Sequence, residues 1–294
     1  MEKAVYHLPG LFEFCDFYQK FLPIYREKTE YFYDWCRIGS LYGAPADCLW
    51  AGGRVSTGNA DPRQVLALTE AYGLSARLTF SNSLLCPEHL KDPKCNRLCA
   101  LFGAEPGNGV IVYSELLLAY LKERYPNFYF VSSTTKVLTD FEDLAAETER
   151  PGFRYVVPDF RLNKAFDRLA GLKEKRKVEF LCNECCWLGC RERKVCYENV
   201  SRKNLGEHCP DHICAAPEGE KGYRFSAAMK NPAFIGIRDI RETYLPMGFS
   251  QFKIEGRGLG SAMLLEFILY YLTKPEYQLP LREEMYLDSM LDLF

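Results

Sequence analysis

The sequence predicts a TIM-like (β/α)8 barrel. Three observations carry that expectation. Short apolar runs rich in β-formers recur between residues 31 and 254. Amphipathic stretches of helical spacing separate them, which is the alternation of a parallel sheet covered by helices. Polar residues gather just after the runs, on the side where a barrel carries its chemistry. A doubly wound open sheet is the alternative that the same alternation permits.

Taken in order, residues 1–30 read as a helical lead-in of aromatics and charges. The expected strands are Tyr31–Ile38, Ala76–Phe80, Gly109–Tyr113, Phe128–Ser132, Tyr155–Val157, Val178–Leu181, Phe234–Ile237 and Gln251–Ile254. Each is a short run of β-branched and aromatic residues bounded by turn formers. The expected helices are Pro62–Tyr72, Glu115–Arg124, Phe141–Thr148, Asn163–Leu172 and Leu259–Leu272. Gly107-Asn108-Gly109 reads as a turn into strand three. A cysteine-rich insertion, 182–232, follows strand six, and one barrel domain spans 1–294.

The chain has a net charge of −2. Neither sign dominates, so charge does not imply a nucleic-acid partner, although it leaves room for a local basic patch. The N-terminus lacks the basic stretch and long apolar core of a signal peptide, and Phe267–Leu272 is too short to cross a bilayer. An odd count of 13 cysteines without an export signal points to a reduced cytoplasmic protein rather than a disulfide framework.

Lys177–Cys214 holds seven of those cysteines: Cys182, Cys185, Cys186, Cys190, Cys196, Cys209 and Cys214. The segment begins as a strand and opens into a charged loop. Cys186-x3-Cys190 and Cys209-x4-Cys214 form two close pairs, and four thiolates so arranged could hold a [4Fe–4S] cluster or zinc. His208 and His212 flank the second pair and could replace a thiolate on zinc. Cys48, Cys182, Cys185 and Cys196 are alternative ligands. Cysteine also packs as a small hydrophobe. That reading suits two or three of the seven, and it suits Cys15, Cys36 and the group Cys86, Cys95 and Cys99, which sit among apolar neighbours.

The other candidate site residues stand at strand ends. They are Arg54 after strand one, Asp159 after strand five, and Lys253, Glu255 and Arg257 on and after strand eight. Singly, the polar residues at these ends read as turn or cap residues. Together they make a charged ring at the barrel mouth. Alternation puts Lys253 and Glu255 on one face, as a buried ion pair or a catalytic acid–base pair. The sequence contains no G-x-G-x-x-G, Walker, H-E-x-x-H or G-x-S-x-G motif.

Ile237-Arg238-Asp239-Ile240, followed by Gly248-Phe249-Ser250-Gln251-Phe252-Lys253-Ile254-Glu255-Gly256-Arg257, resembles the signature of the collagenase-like peptidase family, family U-thirty-two. Val178–Cys186 stands where that family has a strand ending in a cysteine-containing motif. Asn183-Glu184 replaces the family's His-Gly, and the cysteine spacing differs. The resemblance implies a TIM-like barrel. It also implies a cysteine-bound [4Fe–4S] cluster, as in relatives that support oxygen-independent hydroxylation. The expected activity is therefore an iron–sulfur oxidoreductase acting on an unknown substrate, served by an electron-donor protein. A peptidase or amidase and a non-catalytic barrel with structural zinc are the alternatives.

Overall fold

The computed structural model describes residues 3–45, 47–53, 58–217 and 224–290, with side chains to 286; Arg54 lies outside the described residues. Eight parallel strands form one sheet: β1 Ala4–Pro9, β2 Cys36–Gly43, β3 Ser75–Phe80, β4 Gly109–Val112, β5 Tyr129–Ser132, β6 Tyr155–Val156, β7 Glu179–Leu181 and β8 Gln251–Lys253. Their order is β6-β5-β4-β3-β2-β1-β8-β7. An isolated parallel bridge, Val156↔Val178, joins the two ends and closes the ring. The barrel expected from the sequence is the fold observed.

Three elements differ from expectation. The lead-in is not wholly helical, because Ala4–Pro9 is β1, buried along its whole length and paired with both β2 and β8. Helix α1, Cys15–Glu27, follows it. The expected first strand, Tyr31–Ile38, is a 3-10 turn at Thr29–Tyr31 and then β2. Phe234–Ile237 is not a strand. It makes one sheet-like bond, Ile235 N–H to the Cys182 carbonyl, and then turns into a short helix. The cysteine-rich segment therefore follows the seventh strand rather than the sixth.

Between the strands run α2 Pro62–Ala71, α3 Pro93–Phe102, α4 Glu115–Arg124, α5 Phe141–Glu149, α6 Phe166–Ala170, α7 Arg193–Asn204, α8 Phe225–Ala228 and α9 Ile237–Asp239. Helices α10 Ser261–Tyr271 and α11 Gln278–Met290 follow β8. Local chemistry sets their starts. Asp61 accepts from the Arg63 and Gln64 amides ahead of α2, with Pro62 at its first position. Ser114 does the same for Leu117 in α4. The main core lies between strands and helices, and includes Tyr6, Phe80, Phe102, Phe180, Phe252 and Phe267. Among the described residues no helix is long and apolar enough to cross a membrane.

The register of β1 on β2 shifts between Tyr6 and His7, which pair with Ile38 and Ser40. Gly39 is the residue skipped. A Cβ there would lie 2.4 Å from Val5 and 3.1 Å from the His7 ring. The bulge needs glycine, and it lets the His7 ring occupy the barrel interior.

Candidate functional site

The barrel interior carries charge. Arg77 on β3, Glu179 on β7 and Lys253 on β8 all point inward and are buried. Arg77 Nη1 lies 2.5 Å from Glu179 Oε2, and Lys253 Nζ lies 3.8 Å from Glu179 Oε1. His7 Nε2 is 3.4 Å from Glu179 and 3.1 Å from Gln251 Oε1, while Ser40 lies 2.8 Å from Nδ1. Arg77 Nη2 lies 3.4 Å from the same ring nitrogen. Arg77 also stacks between Tyr129 and Tyr155. Three charges out of water are tolerable only because each has a partner.

Burial sets the protonation of this group. It pushes His7 down to about 3, with Arg77 acting in the same direction, so the ring is neutral at ordinary pH. It pushes Lys253 down to about 8, with Glu179 opposing. Burial raises Glu179, but Arg77 above all, with His7 and Lys253 beside it, outweighs burial and holds the carboxyl below its usual range. Lys253 sits 4.1 Å over the Tyr42 ring.

Above Lys253, at the C-terminal ends of the strands, opens a cavity of about 250 Å³. Tyr42, Ile111, Leu181 and Leu259 are its apolar walls. Thr79 and Ser81, in and beyond β3, supply hydroxyls, and Lys253, Glu255, Arg257, Glu184 and Cys185 supply the reactive groups. The Gly52–Gly53 loop packs down on this rim. A Cβ on Gly52 would lie 2.3 Å from the Ser81 carbonyl oxygen, and one on Gly53 would lie 3.2 Å from Arg257 Nη1. Arg257 is fixed by Glu13, at 2.9 Å from Nε.

Asn183 and Glu184 build the other side of the mouth. Asn183 uses both ends of its amide on one residue, donating to the Glu255 carbonyl at 3.1 Å and accepting from its N–H at 2.7 Å. That clamp prolongs the β7–β8 pairing and brings Glu255 beside Glu184. Glu184 Oε1 accepts from the Cys185 and Cys186 amides, both at 3.0 Å, and Oε2 meets Arg193 at 2.5 Å. Ligand atoms of Glu184, Cys185 and Glu255 lie within 4.8 Å of one another, the one such group of three among the described residues.

Lys253 and Glu255 both line the cavity, as their alternation implied, and Lys253 pairs with Glu179. Asp159 does not line it. It is buried behind the rim, 2.7 Å from Arg161 Nε and 3.5 Å from Arg193 Nε. Arg193 joins the ends of β6 and β7 to the first residue of α7, and composition gave no hint of its burial. Of the segment's cysteines, Cys185 lines the cavity and the others are dispersed. Cys182 is buried at the end of β7, and burial pushes its thiol up. Cys186 is half-buried. Cys190 is buried, and its carbonyl accepts from Arg161 at 3.0 Å. Cys209 lies 3.6 Å from the Asn199 amide on α7, and Cys214 is exposed. Cys15 and Cys36 are buried in the core, as are Cys95 and Cys99. Cys86 is half-buried, 3.2 Å from His89 in a local turn. Cys48 and Cys95 meet at 3.4 Å.

No family model matches this chain, and no curated protein matches it. Among solved structures, the chain is similar to the U32 peptidase Mk0906, with a TM-score of 0.56 and 14% identity over 88% of this chain and 94% of that one. Likeness at that identity is a likeness of fold. It shows that the closed barrel is a U32-like fold.

Proposed function

We propose that this chain is an enzyme working at the C-terminal mouth of the barrel, an iron–sulfur oxidoreductase whose [4Fe–4S] cluster is held by Cys186, Cys190, Cys209 and Cys214. One observation supports the reading: the thiol-rich segment borders the charged cavity at the strands' C-terminal ends. Cys185 lines that cavity and Cys186 is the next residue. Thiolates are the ligands that such a cluster takes. All four cysteines are free thiols, in two pairs on either side of α7.

When bound, the cluster supplies single electrons, delivered to it by a donor protein. The chain's own residues do the rest. Lys253, poised near pH 8, holds or gives a proton at its ammonium. Arg257 and Lys253 attract negative charge on the substrate. Tyr42, Ile111 and Leu181 keep water from the cavity floor.

Anaerobic purification, iron and zinc analysis and the visible spectrum test the reading. Cys186→Ala and Cys190→Ala are each expected to abolish iron binding, while Cys15→Ala and Cys36→Ala leave it intact. Full iron content in both rim variants, or one equivalent of zinc with no colour, would overturn it. A peptidase or amidase is the second reading. The closeness of Glu184, Cys185 and Glu255 favours it, as does the U32 peptidase likeness. Amide hydrolysis lost in Cys185→Ser but kept in Cys186→Ala would establish it. The described histidines give Cys185 no base, since none of the four lines the mouth.

A further inference from the structure

Thr79 and Ser81 are the observation least explained by the fold. They stand two residues apart and so face the same way. Both are more than nine-tenths buried, at 6% and 1% exposure, and both line the mouth cavity. Neither side-chain hydroxyl has a hydrogen-bond partner among the described residues. A buried hydroxyl without a partner is costly, and the cost vanishes when a ligand supplies the missing oxygen.

The strand order polarises the cavity around these two groups. On the β1–β2–β3 side lie donors. Arg257 reaches Glu13 after β1, and the two hydroxyls belong to β3 and its end. On the β7–β8 side lie acceptors, Glu184 and Glu255, held next to each other by the Asn183 clamp. Between them the walls are Tyr42, Ile111, Leu181 and Leu259. A molecule that satisfies all three surfaces carries a carboxylate, an ammonium group and an apolar substituent within about 250 Å³.

We infer that the mouth cavity binds a small zwitterion of the aliphatic amino-acid type. Its carboxylate sits between the Thr79 and Ser81 hydroxyls and the Lys253–Arg257 cations, and its ammonium group sits at Glu255 and Glu184. The inference rests on the mouth being the substrate site, and names the substrate class for it.

Calorimetric titration of the full chain with three matched probes tests it. L-Leucine carries both charges, 4-methylpentanoate only the carboxylate and isopentylamine only the ammonium. L-Leucine is expected to bind at least tenfold tighter than either partial probe. Thr79→Val and Ser81→Ala should each weaken L-leucine and 4-methylpentanoate roughly tenfold, the scale of one hydrogen bond to a charged group, and leave isopentylamine unchanged. Thr79→Ser, which keeps the hydroxyl, should restore binding. Glu255→Gln should weaken L-leucine and isopentylamine but not 4-methylpentanoate. The inference is overturned by 4-methylpentanoate or inorganic phosphate binding as tightly as L-leucine, by hydroxyl variants without effect, or by no heat from any probe. Iron analysis of the wild-type chain beside the titration separates the two readings. L-Leucine binding in a wild-type chain purified anaerobically that never holds iron sinks the cluster and keeps the zwitterion site, and a coloured, iron-loaded wild-type chain that ignores L-leucine does the reverse.

Discussion

Lys253 concentrates the chemistry of the mouth in one titration. Its ammonium is buried over Tyr42, and burial lowers it to about 8 despite Glu179. An unfolded lysine titrates near 10.4. Between those two values the unfolded chain holds a proton that the folded chain has released, so stability rises with pH across that window. The gain relative to Lys253→Met should reach about 3 kcal/mol by pH 10.5, and the difference should be flat below pH 7. Urea unfolding of both proteins at several pH values reads it directly, and a difference flat throughout would return Lys253 to an ordinary lysine. A catalytic step that needs the charged amine should fade above pH 8 for the same reason.

Arg193 seats the N-terminal end of helix α7. Arg193 is 2% exposed, lies 2.5 Å from Glu184 and 3.5 Å from Asp159, and stacks on Phe160 and Tyr197. Removing one partner from such a buried set costs about 3–5 kcal/mol. Arg193→Met should therefore lower stability by about that much, and the double variant with Glu184→Gln should lose less than the two single losses added. Additive losses would mean that the pair does not couple. At this scale the sequence was legible where pattern and local chemistry agreed, as in β3 to β6, α2, α4 and α5. It misled where pattern alone spoke. Ala4–Pro9 is buried on both faces, so it lacks the alternation that marks a half-buried strand, and His7 interrupts its apolar run. Phe234–Ile237 has the apolar run of a strand but pairs through a single bond. Lys253 and Glu255 could be placed by alternation. Arg193 could not, because a basic residue at the start of a polar helix reads as solvated.

The whole barrel shares one electrostatic unit that local reading could not assemble. His7, Arg77, Glu179 and Lys253 come from β1, β3, β7 and β8, and only closure of the ring brings them together. Glu179 was hidden inside the apolar-looking run Val178–Leu181. Their joint burial ties the fold to pH. His7 is held near 3, first by burial and then by Arg77, while the same ring in the unfolded chain titrates near 6.5. Below 6.5 the unfolded chain takes up a proton that the folded one refuses, so stability falls as pH falls. Glu179, held below its usual range, adds a contribution that is present above about pH 4.5 and is lost as pH falls toward its folded value. Both act in the same direction. Gln in place of His7 keeps a polar side chain between Ser40 and Gln251 but has no proton to gain. Relative to His7→Gln, the wild-type protein should lose about 1.4 kcal/mol of stability for each pH unit between 6.5 and 4.5. Denaturant melts of the two proteins across that range check the slope. Parallel curves would mean that His7 is already protonated in the folded barrel, and that its contact with Glu179 is an ion pair rather than a neutral hydrogen bond.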